Sequence, residues 1–133
     1  MPHILIVDDD ALVRDALHQI LARAGHDVED AADGTAALQA YRQRPCDLVI
    51  TDLVMPNTEG LETIASLRRL DPHLRIIAIS GGGRGRADDY LGLARKLGAN
   101  RVLAKPFSGE DILTIVADVL AEPPVEGQGG SGW

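Results

Sequence analysis

Five short apolar runs, separated by longer segments of helical periodicity, constrain the fold of this chain more than any other feature. The runs are HILIV (3–7), DVEDAA (27–32), DLVIT (47–51), RIIAIS (75–80) and RVLA (101–104). Four of them are nearly continuous in Val, Ile, Leu and Ala, which is typical of parallel strands that are covered on both faces. The second run is more polar, so we expect it at an edge of the sheet.

The segments between the runs predict five helices, each with an apolar stripe that we expect to form core rather than a binding site. The stripes contain Leu12, Ala16, Leu17, Ile20, Leu21 and Ala24; Ala37, Leu38 and Tyr41; Leu61, Ile64, Ala65 and Leu67; Leu91, Ala94 and Leu97; and Ile112, Ile115, Val116 and Val119. Asp10 is the expected N-cap of the first helix, and Ser108 with Asp111 has the spacing of a capping box. Alternating strands and helices predict a three-layer, doubly wound (βα)5 fold of the α/β class, with a parallel sheet.

Composition limits the possible functions. The chain has 133 residues, which is typical of one domain, and its 13 basic and 20 acidic residues argue against binding to nucleic acid. Cys46 is the only cysteine, which excludes an intrachain disulfide and fits a reducing compartment. No apolar run is long enough to span a membrane, so we expect a cytoplasmic protein. Residues 122–133 are rich in Pro and Gly and are expected to form a flexible tail after a domain over residues 1–121.

Charged and polar side chains stand where four of the strands end. Asp8, Asp9 and Asp10 follow the first strand, Asp52 the third and Lys105 the fifth, while Ser80 ends the fourth. The carboxyl ends of parallel strands meet at one edge of a sheet, so these side chains are expected to lie together. Clustered carboxylates repel one another, and Mg²⁺, which prefers a few carboxylates and retained waters, would relieve that repulsion.

The same set of residues suits phosphoryl transfer. Asp52 is a candidate nucleophile, since an aspartate carboxylate forms an acyl phosphate. Ser80 and Lys105 are candidate donors to phosphoryl oxygens, the first by a hydrogen bond and the second as a point charge. These residues therefore indicate a site at which Asp52 accepts a phosphoryl group.

The stretches IVDDD, VITDLVMPNTEG, SG after the fourth strand and AKPF after the fifth resemble a response-regulator receiver domain over about residues 1–121. The resemblance implies a flavodoxin-like fold with strand order 2-1-3-4-5. It also implies a signalling switch rather than an enzyme, in which Asp52 takes phosphate from a histidine kinase or a histidine phosphotransfer protein.

The resemblance assigns roles to individual residues. Asp9 and Asp52 would bind Mg²⁺ directly, Asp8 mainly through water, and the backbone carbonyl of Val54 would complete the protein ligands. Ser80 and Lys105 would hold the phosphoryl group, and the Lys105–Pro106 peptide would be cis.

The chain also departs from the receiver pattern. Val102 stands where many receivers carry an aromatic residue, so we predict that signal passes through the glycine-rich segment 81–90 instead. The tail is too short for an output domain, and we therefore expect a stand-alone receiver that acts through protein partners. Two alternatives are a receiver-like module that binds its partner regardless of phosphorylation, and an aspartate-nucleophile phosphatase. The phosphatase ranks last, because Val54 occupies the position at which such an enzyme needs a second acid.

Overall fold

The computed structural model describes residues 1–53, 59–80, 92 and 95–122. These ranges contain five strands: β1 (His3–Val7), β2 (Asp27–Ala31), β3 (Leu48–Asp52), β4 (Arg75–Ser80) and β5 (Arg101–Ala104). They form a parallel sheet of order β2-β1-β3-β4-β5. This order confirms the flavodoxin-like α/β fold and places the polar second strand at an edge, as its sequence predicts.

Four helices are described in full: α1 (Ala11–Arg23), α2 (Gly34–Gln43), α3 (Glu59–Leu70) and α4 (Gly109–Ala121). Asp10 caps α1, and Ser108 and Asp111 form a capping box at the start of α4, as predicted. Of the remaining predicted helix, residues 95–97 are helical, whereas Leu91 and Ala94 lie outside the described residues. None of the helices in the described ranges has the length and apolar character needed to cross a membrane.

The third strand is displaced by one residue from its predicted bounds. The Asp47 carboxylate accepts a hydrogen bond from the His3 backbone N–H at 2.8 Å. Asp47 therefore contacts the start of β1 through its side chain and precedes β3. At the other end, Asp52 pairs in register with Ile79 of β4 and so belongs to the strand. Because of this shift, the backbone of Asp52 is fixed by its pairing with β4.

The core consists of two apolar layers, one on each face of the sheet. Alternate residues of a strand point to opposite faces. On one face the sheet packs against α2 and α3 through Leu5, Val7, Val49, Ile76, Ala37, Ile64 and Leu67, among others. On the other face it packs against α1 and α4 through Ile4, Ile6, Ile50, Ile77, Leu17, Leu21, Ile112 and Val116, among others. Both faces of the central strands are therefore buried, which fixes the strand ends that carry the polar residues.

The apolar stripe of α1 is only partly buried, which corrects its interpretation as core. Leu17 and Leu21 are buried, but Leu12 is 80% exposed and Ala16 and Ala24 are also exposed. The early turns of α1 do not close against the segment between β5 and α4. Instead, a cavity of about 450 Å³ separates them, lined by Leu12, Val13, Ala16, Leu17, Ile20 and residues 105–109. We call this cavity the α1 groove.

Candidate functional site

Three carboxylates meet at the carboxyl edge of the sheet. Asp8 and Asp9 follow β1, Asp52 ends β3, and one carboxylate oxygen of each lies within 4.8 Å of the others. Asp8 and Asp52 are 2% and 4% exposed, whereas Asp9 faces solvent. The cluster is therefore walled by protein on one side and open on the other, which leaves room for a ligand.

The backbone and side chain of Asp8 are both held by hydrogen bonds. Its N–H donates to the Ala31 carbonyl oxygen at 3.1 Å, which ties it to β2. Its Oδ1 accepts the Asp10 N–H at 2.8 Å, and its carbonyl oxygen accepts from Arg14 Nη1 at 2.7 Å. The loop between β1 and α1 therefore presents its carboxylates from a fixed backbone.

The repulsion expected from clustered acids is present at Asp8. The pKa of Asp8 is raised from 3.8 to about 6; burial is the largest cause, and the charge of Asp52 and a hydrogen bond to the Asp52 side chain act in the same direction. The Asp10 N–H and the Lys105 ammonium act in the opposite direction and lower this pKa. Without a cation, the ionised form of Asp8 is thus disfavoured by its surroundings.

Lys105 and Ser80 close the site from the neighbouring strands. Lys105 Nζ lies 3.4 Å from Asp52 Oδ2, and the Lys105 N–H donates to the Ser80 carbonyl oxygen at 2.8 Å. The Lys105–Pro106 peptide is cis, which confirms that prediction. Ser80 is fully buried, and its Oγ has no hydrogen-bond partner within the described part of the chain. An unpaired buried hydroxyl beside charged groups is suited to a polar ligand.

Some predicted features fall outside the described residues. Val54, the predicted carbonyl ligand, is one of them, and the glycine-rich segment 81–90 is another. Their roles remain predictions. Val102 is described: it is partly buried and packs against the core layer on the side of α2 and α3.

Gly60 is a part of the site that the sequence analysis did not single out. A Cβ at this position would lie 2.5 Å from the Asp52 carbonyl oxygen and 2.7 Å from Leu53 Cα. Real Cβ atoms do not approach backbone this closely, so only glycine lets α3 pack against the end of β3. The sequence shows a glycine in the first turn of the predicted third helix, but glycines at such positions are common and do not by themselves indicate a close contact.

Arg14 was also missed. It lies in the first turns of α1, half-buried, with its guanidinium against the loop that carries Asp8. Arginines on helix surfaces are usually solvated, so its spacing after the aspartates did not reveal the contact.

The donor set fits Mg²⁺. Its three carboxylates supply hard oxygen ligands without a nitrogen or sulfur donor, and the exposed Asp9 leaves one side open for water. The raised pKa of Asp8 indicates a local excess of negative charge that a divalent cation would offset. Asp8, Asp9 and Asp52 are therefore the residues that would hold the ion.

Comparison with known proteins agrees with this geometry. The family model for the response regulator receiver domain matches residues 4–117. The chemotaxis protein CheY of Halobacterium salinarum is 30% identical over 117 residues, which cover 88% of this chain and 95% of that protein. The DNA-binding transcriptional regulator NtrC of a Bradyrhizobium strain is 34% identical over 122 residues, but the chain spans only 24% of its length.

The solved structures include the receiver domain of NtrX from Brucella abortus, which is similar with a TM-score of 0.81 and 29% identity. That match covers 88% of this chain and 97% of the NtrX domain. The sheet order, the acidic cluster and the match over residues 4–117 lead to one assignment. The chain belongs to the response regulator receiver domain family of two-component signalling, whose members are signalling proteins and not enzymes.

Proposed function

We propose that this receiver domain is a switch that accepts a phosphoryl group on Asp52 with the help of Mg²⁺. The observation that supports the proposal is the meeting of Asp8, Asp9 and Asp52 within 4.8 Å, with Lys105 Nζ 3.4 Å from Asp52. A nucleophile, a cation site and an ammonium donor thus lie together at one strand edge. Such an arrangement provides positioning and charge stabilisation, which dominate catalysis of phosphoryl transfer.

The proposed donor is a phosphohistidine of a histidine kinase or a histidine phosphotransfer protein. A carboxylate oxygen of Asp52 forms the new bond to phosphorus as the N–P bond breaks, and the electron pair of that bond stays on the imidazole nitrogen. Bound Mg²⁺ would supply positive charge to the phosphoryl oxygens. The product is an aspartyl phosphate.

Two further residues act on the transferred group in this proposal. The Lys105 ammonium, already directed at Asp52, pairs with a phosphoryl oxygen. The Ser80 hydroxyl, which is buried and lacks a partner among the described residues, gains an acceptor in the phosphoryl group. The aspartyl phosphate would thereby give an acceptor to a hydroxyl that has no partner among the described residues.

The α1 groove is the proposed docking surface for the donor protein. It is almost entirely apolar and includes Leu12, which is 80% exposed, and Phe107. Lys105 lines it as well, so a protein seated there lies next to Asp52. An amphipathic helix that carries its phosphohistidine beside an apolar face fits this surface.

Radiolabelling with a small acyl phosphate tests the proposal without the unidentified kinase. We expect the wild-type chain to incorporate label only when Mg²⁺ is present, and Asp52→Asn to incorporate none. Asp15→Asn is the matched control, because it removes an exposed carboxylate of α1 outside the cluster. Equal labelling of Asp52→Asn and wild type would overturn the proposal.

The same labelling, extended by a phosphate-release assay, separates the alternatives. A wild-type chain that takes no label with Mg²⁺ present favours the phosphorylation-independent module, and a chain that releases many equivalents of phosphate from a phosphomonoester favours the phosphatase. A domain boundary at residue 121 and a flexible tail after it stay proposals, since residues 123–133 lie outside the described ranges. A cytoplasmic location is also proposed.

A further inference from the structure

The Arg14 side chain contacts the backbone of the acidic loop and not a carboxylate. Arg14 Nη1 donates to the carbonyl oxygen of Asp8 at 2.7 Å, and the side chain is half-buried against the loop. It contacts the carbonyl oxygen of the peptide bond between Asp8 and Asp9.

That peptide bond determines where Asp9 points. The Asp8 carbonyl lies in the same plane as the Asp9 N–H, so holding the carbonyl fixes the direction in which the chain enters Asp9. Asp8 itself is buried and held by Ala31 and Asp10, whereas Asp9 is exposed and no hydrogen bond from the described residues holds its side chain. The orientation of Asp9 therefore depends on the plane that Arg14 holds.

We infer that Arg14 is a positioning residue for the cation site, acting on Asp9 through the Asp8–Asp9 peptide. The inference rests on the proposed function, because it assumes that Asp9 binds Mg²⁺. Arg14 is not itself a ligand, since a guanidinium has no lone pair to offer a cation. Its role is that of an outer contact which orients a ligand, and loss of such contacts weakens metal binding by about 10- to 100-fold.

The sign of the effect distinguishes positioning from simple charge. Removing a positive charge near a cation site strengthens cation binding by Coulomb's law. Losing a positioning contact weakens it. A neutral replacement of Arg14 that lowers Mg²⁺ affinity therefore cannot be explained by charge.

The experiment is a Mg²⁺ titration of the full chain at constant ionic strength, followed by backbone amide shifts. We expect Arg14→Met to raise the Kd about 10-fold, at the low end of the range for outer contacts, and Arg14→Lys to recover most of the affinity. Arg23→Met is the matched control on the same helix: Arg23 is exposed in the last turn of α1, and its loss should leave the Kd unchanged or lower it slightly. Unchanged or tighter binding by Arg14→Met, or no rescue by lysine, would overturn the inference.

The folding of each variant is checked by far-UV circular dichroism. If Arg14→Met does not fold, Arg14→Gln is compared with Arg23→Gln, and equal affinities of this pair would count against the inference. Wild-type chain that binds no Mg²⁺, or Asp9→Asn that binds it as tightly as wild type, would contradict the proposed function instead. Normal wild-type binding with an unaffected Arg14→Met would contradict only the positioning role.

Discussion

The two ends of the sheet differ in how their carboxylates are partnered. At the amino end the charged groups are paired: His3 Nε2 lies 3.2 Å from Glu29 Oε1, and Arg44 forms an ion pair with Asp27. A further ion pair joins Arg101 of β5 to Glu122 after α4. Each of these carboxylates lies opposite a nitrogen of a basic side chain.

At the carboxyl end, three carboxylates face one another and Lys105 alone among the described cations contacts them. Two of the three are buried, and the pKa of Asp8 is raised to about 6. The amino end therefore contributes to stability, whereas the carboxyl end lowers it in the absence of a ligand. This difference marks the carboxyl end as the functional one, because unfavourable local arrangements persist where function requires them.

The largest expected effect is a pH-dependent gain in stability from Asp8→Asn. The folded-state pKa of Asp8 is raised from 3.8 to about 6, so its contribution to stability is fully present below about pH 4 and is lost as the pH rises through 6. One pKa unit corresponds to about 1.4 kcal/mol, so the loss approaches about 3 kcal/mol at neutral pH. In EDTA, Asp8→Asn should be more stable than wild type by up to this amount at pH 7.5, with the gap closing by pH 4.

Urea unfolding at several pH values measures that gap. Saturating Mg²⁺ should stabilise the wild type and reduce the advantage of Asp8→Asn. An advantage that is the same at pH 4 and pH 7.5 would show that burial of the Asp8 charge does not destabilise this end of the sheet.

The second effect concerns the backbone of the carboxyl end. Gly60→Ala places a Cβ against the Asp52 carbonyl and Leu53 Cα, which cannot yield as a flexible side chain would. We expect a loss of about 2 kcal/mol, the typical size for overpacking. Helix propensity alone predicts that Gly60→Ala increases stability by about 1 kcal/mol. The sign of the measured change therefore distinguishes a steric clash from helix propensity.

Gly109→Ala is the control for this helix substitution. A Cβ at Gly109 would meet Ile20 Cδ1 at 3.6 Å, an ordinary contact, so stability should be unchanged or increased. Thermal unfolding of both variants checks the pair. Similar stability of Gly60→Ala and Gly109→Ala would mean that α3 does not press against the Asp52 backbone.

The smallest effect lies at the amino end. Glu29→Gln removes a charge from the contact with His3, and because Glu29 is 39% exposed the loss should be about 0.5 kcal/mol. The direction is opposite to that of Asp8→Asn, and Mg²⁺ affinity should not change. Urea unfolding and a Mg²⁺ titration test both points, and a stabilised Glu29→Gln would remove the contrast between the two ends.

The strands could be predicted from the sequence because a strand is indicated by the residues within it and not by distant neighbours. Continuous apolar runs specify central strands, the polar DVEDAA run specifies an edge, and the spacing of Ser108 and Asp111 specifies a cap. The meeting of Asp8, Asp52 and Lys105 followed from the rule that carboxyl ends of parallel strands share one edge. The strand order itself came from the resemblance to receivers, since periodicity does not determine it.

Features that depend on distant neighbours were not predictable. Gly60 matters because the Asp52 carbonyl oxygen and Leu53 lie directly beside it, and Leu12 is exposed because none of the described helices covers the start of α1. The difference between Asp8 and Asp9, one buried and one exposed, arises from a loop conformation held by Ala31 and Arg14. Pattern analysis treats neighbouring aspartates alike, and tertiary contacts distinguish them.

Lys105 belongs to two surfaces at once, because it lines the α1 groove and contacts Asp52. A protein seated in the groove would therefore touch a side chain that forms an ion pair with Asp52. Coupling between two equilibria is reciprocal, so a protein that favours one charge state of Asp52 is itself favoured by that state to the same degree. Under the proposed phosphorylation of Asp52, a partner that binds the modified chain more tightly would stabilise the modified state to the same degree.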